Sequence, residues 1–126
     1  MTDKKVVWSK RLQAQDYAGA SRYLDLLCAP SAVKRIVAAS RRAKPQMFAA
    51  KDLLRASALP LLSKDDVHVD SDLKRIRKGK PLAPVLLVRG DAASAVPLTI
   101  ADGYHRICAI CYFDESEPVP CILVDF

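Results

Sequence analysis

The chain is 126 residues long, enough for one domain with an ordinary core, and 51% of it is hydrophobic. It carries 20 Lys and Arg against 14 Asp and Glu, a net charge of +6 that favours anionic partners without choosing between a nucleotide and a polynucleotide. No stretch approaches the ~20 apolar residues that cross a bilayer. The charged start Met1-Thr2-Asp3-Lys4-Lys5 does not read as a signal peptide, and Cys28, Cys108, Cys111 and Cys121 are too unevenly placed for a disulfide scaffold, so a cytoplasmic protein with reduced thiols and no membrane partner is expected.

Asp16 opens a helical spacing over residues 16–28, with Ala20, Tyr23, Leu24, Leu27 and Cys28 on one face. Pro30-Ser31 restarts the chain, and a second helix from Ser31 toward Lys44 turns Val33, Ile36 and Val37 inward and Lys34, Arg35, Arg41, Arg42 and Lys44 outward. Pro45 breaks it, and Met47 to Ala56 reads as a third short helix holding Phe48, Leu53 and Leu54. Leu59-Pro60-Leu61-Leu62-Ser63 is extended, because a residue before proline is pushed out of the helical region. A short basic helix from Asp70 or Ser71 to Lys78 follows, capped by Gly79 and carrying a second cluster of Lys74, Arg75, Arg77 and Lys78, with Lys80 just beyond.

After Pro81 and Pro84, the unbroken apolar run Val85-Leu86-Leu87-Val88 predicts a strand covered on both faces. Gly90 to Ser94 turns the chain, and Pro97 to Ile100 forms the next strand. Past Arg106 the helix from Tyr104 to about Phe113 is apolar nearly all round and therefore central, and Val119 to Val124 closes the sheet. The fold class is α+β: a helical N-terminal half packed on a small mixed β-sheet, with a central helix following the Asp-Gly-Tyr-His-Arg turn. One domain spans 1–126, with a helical region over 1–60 and the core over 61–126.

The segment Ala101-Asp102-Gly103-Tyr104-His105-Arg106 carries the chemistry. A strand that turns straight into a helix leaves backbone N–H groups pointing at whatever sits above the turn, and the helix dipole adds positive charge there. Gly103 allows close approach of an oxyanion, Arg106 offers a planar bidentate donor, and His105 is a further donor, or a base when neutral. The plain structural alternative is that Asp102 caps the helix and Gly103 supplies a positive φ, with His105 and Arg106 an exposed first turn.

The order of elements around this turn resembles the ParB/sulfiredoxin superfamily. A helix ending at Gly79 leads into Pro84-Val85-Leu86-Leu87-Val88; then Thr99 to Ala109 contains the turn and the start of its helix, and Val119-Pro120-Cys121-Ile122-Leu123-Val124 closes the unit. The resemblance covers about half the chain, roughly residues 66–126. It implies a nucleoside triphosphate, ATP or CTP, held at Asp102, Gly103, Tyr104, His105 and Arg106; Arg89, which ends a strand near the turn, is a further candidate phosphate ligand, and Mg²⁺ bridging the phosphates to Asp102 or Asp66 is expected with it. Kinase-like members place a catalytic acid upstream, which makes Asp65, Asp66 and His68 candidates beside His105 and implies NTPase or phosphotransferase chemistry. Where sulfiredoxin carries its catalytic cysteine this sequence has Tyr104, so sulfiredoxin chemistry is not expected. No DNA-reading helical domain follows the last strand, so a complete partition protein is not expected either. Residues 1–60 have no counterpart in the resemblance and are expected to be a helical cap or a homodimer contact.

His105, Cys108 and Cys111 are spaced three apart on one helix but drift off a common face, so buried structural thiols are expected rather than a metal site. The acidic stretch Asp65 to Asp72 lacks the glycine and terminal glutamate of a calcium loop and reads as a helix start capped by Asp and Ser. The functional expectation is a phosphate-bearing small molecule bound at the turn. The alternative is a non-enzymatic DNA-binding or regulatory module that uses the two basic clusters.

Overall fold

The computed structural model describes residues 5–126. In chain order the elements are α1 (Ala14–Leu24), α2 (Pro30–Arg42), β1 (Gln46–Ala49), α3 (Ala50–Ser57), α4 (Val67–Arg77), β2 (Val85–Val88), a 3-10 turn at Ala92–Ser94, β3 (Thr99–Asp102), α5 (Tyr104–Asp114) and β4 (Pro118–Val124). The class is mixed α+β. The sheet runs β1-β4-β2-β3, with β2 and β4 parallel at its centre and β1 and β3 antiparallel at its edges.

The central strand explains the layering. Side chains alternate across a strand, so Val85 and Leu87 enter one core with Leu73, Ile76, Ile107 and Ile110, while Leu86 and Val88 enter the other with Leu24, Val33, Ile36 and Ile122. Helices α3, α4 and α5 cover the first face and α1 and α2 the second. All four residues of β2 are buried, as an unbroken apolar run predicts. Burying a Val or Leu side chain contributes ~1.5–3 kcal/mol, so this strand anchors both layers.

Several element boundaries differ from the sequence expectation, three of them for a clear physical reason. Residues 46–49 are not the first turn of a helix but a strand, pairing Gln46 to Ala49 with Cys121 to Pro118. The sheet edge supplies hydrogen-bond partners that local helical spacing cannot foresee, and α3 begins only at Ala50. Helix α4 starts three residues earlier than expected because Asp66 caps it, its Oδ1 accepting from His68 N at 2.9 Å and Val69 N at 3.1 Å. Helix α1 is capped at Gln13, and Asp16 closes its first turn from inside by accepting the Gln13 N–H at 2.8 Å.

The cysteines are free thiols; Cys108 and Cys121 are buried, and Cys28 and Cys111 partly so. Burial pushes the Cys111 thiol up to about 11 and Cys121 up to about 12. Because the thiolate is the reactive form, alkylation of native protein by iodoacetamide at neutral pH is expected to be slow at both sites and fast after denaturation. Rapid native modification of Cys121, read by mass spectrometry, would contradict this packing.

Candidate functional site

Strand β3 continues to Asp102, two residues beyond its expected end, so the turn into α5 is made by Gly103 alone, at φ +106°. A side chain there would be strained in that left-handed conformation, and a Cβ would come within 2.5 Å of Val85 Cγ1. Glycine is thus required by the turn and by the packing of β2 beneath it. Gly103 O accepts the first helical bond from Ile107 N at 3.0 Å, and Gly103 has no side chain with which to cap the N–H groups of the first turn.

The start of α4 lies beside the start of α5. His68 and His105, each the second residue of its helix, bring their rings to 4.8 Å between centroids, and His105 Nε2 lies 4.0 Å from Asp66 Oδ1. Hydrogen bonds from the Val69 and His68 N–H groups hold the Asp66 carboxyl below its ordinary value. The three expected catalytic residues, Asp66, His68 and His105, therefore share one location although 37 positions separate His68 from His105 in the sequence. Beside them opens a cleft of about 250 Å³ lined by His68, Ser71, Asp72, Asp102, Gly103, His105 and Arg106.

Arg106 takes a different part from the one expected. Its side chain is 16% exposed, and one terminal nitrogen donates to Asp102 Oδ2 at 2.8 Å and to the Pro84 carbonyl at 2.9 Å. The other lies 3.7 Å from Asp16 Oδ1, and Nε is buried without a hydrogen-bond partner in the protein. The guanidinium is committed to tying α1, β3, α5 and the approach to β2 together, and it does not face solvent as a free bidentate clamp. Asp102 in turn serves Arg106 and does not cap α5. Burial raises the Asp102 carboxyl, Arg106 pulls it back and Asp16 adds to the rise; burial also raises Asp72, against Arg106 and Arg75.

Two more expected ligands have their side chains engaged elsewhere, although Tyr104 itself opens α5 directly after Gly103. The Tyr104 hydroxyl donates to the Pro60 carbonyl at 2.6 Å and, with the Tyr112 hydroxyl on Leu62 at 2.6 Å, straps residues 60–62 over α5. Arg89 pairs with Asp125 at 2.8 Å. Antiparallel pairing sets Leu86 opposite Asp102 and Val88 opposite Thr99, so Arg89 sits past the opposite end of the strand from the turn. Asp65 lies in the turn before α4, its N–H bonded to Ser63 Oγ at 3.1 Å.

The sequence reading assigned no site role to Asp16, Ser71 or Asp72. Asp16 and Asp72 resemble ordinary helix-turn carboxylates, and only the fold brings them to Arg106.

Among the described residues no group of three or more His, Cys, Asp or Glu is placed to hold a metal ion. No helix among them is long and apolar enough to cross a membrane. Comparison with protein-family models, curated proteins and solved structures gives no match for this chain.

Proposed function

We propose that the cleft between the starts of α4 and α5 binds a phosphate-bearing small molecule, a nucleoside triphosphate such as ATP or CTP taken as its magnesium complex, in the manner of ParB/sulfiredoxin-like proteins. The observation that carries this reading is the convergence of the uncapped N-terminus of α5, two imidazoles and the Ser71 hydroxyl on one polar cleft. Helix N-termini attract anions, and both imidazoles and Ser71 are donors suited to phosphate oxygens. Asp72 and Asp102 border the same space. A bare phosphate would meet them as like charges, and Mg²⁺, which binds one or two carboxylates together with phosphates, removes that conflict. The chemistry that fits is NTP hydrolysis or phosphoryl transfer: His105, whose Nε2 lies 4.0 Å from the Asp66 carboxylate, takes the proton from an attacking water or hydroxyl. Arg106 acts as a positioning residue that holds Asp102.

Thermal shift with ATP, CTP and GTP, each with Mg²⁺ and with EDTA, tests the reading. Binding stabilises by RT ln(1 + [L]/Kd), about 2.7 kcal/mol at a hundredfold excess over Kd. Stabilisation that requires Mg²⁺ and weakens by about tenfold in affinity in His105→Ala is the expected result, each ~1.4 kcal/mol being a factor of ten. Absence of stabilisation by every nucleotide at millimolar concentration would remove the proposal.

A further inference from the structure

A second cleft, of about 580 Å³, lies on the other face of the sheet, where the segment before α1 meets the last turn of α2. Its charged lining is Lys10, Arg11, Arg41 and Lys44, all exposed, and no carboxylate among the described residues joins them. The floor is apolar, made of buried Leu12 and Ile122. The Arg41 guanidinium lies 4.1 Å over the centroid of the Tyr17 ring, which fixes it as a flat platform at the cleft wall.

Cations at a helix C-terminus need no ligand, since the dipole alone favours them, and that accounts for Arg41 and Arg42. It does not account for Lys10 and Arg11, which come from a separate segment and face the same space. Like charges brought together across a cleft repel, and an anionic occupant relieves this. The other basic cluster is built differently: Lys74 pairs with Asp70 at 3.0 Å and Arg75 donates to the Pro81 carbonyl at 2.6 Å.

We infer that this cleft is a binding site for single-stranded nucleic acid, in which Lys10, Arg11, Arg41 and Lys44 meet backbone phosphates and a base stacks on the Arg41–Tyr17 platform over the Leu12 and Ile122 floor. A charged groove combined with a stacking surface is the physical form of such sites. A duplex, whose bases are already stacked inside, cannot use the platform.

The test is fluorescence polarisation of the full chain with short labelled single strands across a salt series. Four neutralised phosphates give a slope of log Kobs against log salt of about −3, at roughly −0.7 per phosphate. Removing two cations in Arg41→Ala/Lys44→Ala should flatten the slope by about 1.4. Arg41→Lys keeps the charge but loses the flat platform, so it should keep the slope while weakening affinity by about tenfold. Lys78→Ala/Lys80→Ala and His105→Ala should bind as the wild type does. Tighter binding to duplex than to single strand would overturn the inference, as would a slope shallower than about −1, equal loss in the Lys78→Ala/Lys80→Ala variant, or displacement of the strand by Mg-ATP. The lysine and arginine variants change exposed residues and His105→Ala a half-buried one, and matched melting curves check that each folds.

Discussion

Arg106→Ala is expected to destabilise the protein by about 3 kcal/mol, because removing one partner of a largely buried ion pair leaves the other's charge uncompensated. For a domain of this size that is a fall in melting temperature of roughly 10 °C. A first-turn arginine facing solvent predicts almost no change, and the difference lies in the partners: Asp102 at 2.8 Å, Asp16 at 3.7 Å and the Pro84 carbonyl at 2.9 Å. Without the guanidinium, both carboxylates face burial and each other. Burial already holds the Asp102 carboxyl above its ordinary value and Arg106 offsets part of that rise, so without the guanidinium it rises further, and this penalty is full at neutral pH and disappears as pH falls and Asp102 takes up its proton. Melting curves of wild type and variant at pH 7 and pH 4.5 should converge at the lower pH. Arg106→Lys, with a single point donor in place of a planar fork, should fall between. A variant that melts with wild type at pH 7 would contradict this account.

Gly103→Ala carries the other large effect. The left-handed conformation costs a non-glycine residue ~1–2 kcal/mol, and overpacking against a buried side chain adds ~1–3 kcal/mol. Together they predict a loss of about 2–5 kcal/mol, a large share of a typical stability of 5–15 kcal/mol. The new Cβ would meet Val85 Cγ1 at 2.5 Å and Val85 Cβ at 2.9 Å, and would lie 3.0 Å from the Arg106 terminal nitrogen that holds Asp102. A double-mutant cycle with Val85→Ala isolates part of the packing cost, because it removes the Cγ1 contact at 2.5 Å while the Val85 Cβ contact at 2.9 Å and the φ strain stay. Gly103→Ala should therefore cost less in the Val85→Ala background, and equal costs in both backgrounds, measured by urea denaturation, would mean that the Val85 Cγ1 contact plays no part.

These two results bear on the ligand site indirectly. Gly103 and Arg106 build the turn, so their loss is expected to disturb the cleft by disturbing the fold. His68 and His105 are the residues whose removal tests binding alone.

The sequence by itself determined what local chemistry decides. Four consecutive branched or aliphatic residues at Val85–Val88 can satisfy both faces of a strand only if both are covered, and both are. An all-round apolar stretch after Arg106 requires a central helix, and Ile107 to Ile110 are buried. A lone glycine between strand and helix requires a positive φ, and Gly103 has one. The tertiary structure alone decided the rest. Gln46–Ala49 became a strand because β4 offered it an edge. Asp66, His68 and His105 met because α4 and α5 pack with their starts aligned, and Arg106 turned from a candidate ligand into a structural tie because the chain brought Asp16 across from α1. Hydrophobic period and turn chemistry are properties of neighbours in sequence, whereas the partner of a buried charge or of a sheet edge is fixed by how distant segments dock, and no local pattern in the chain records it.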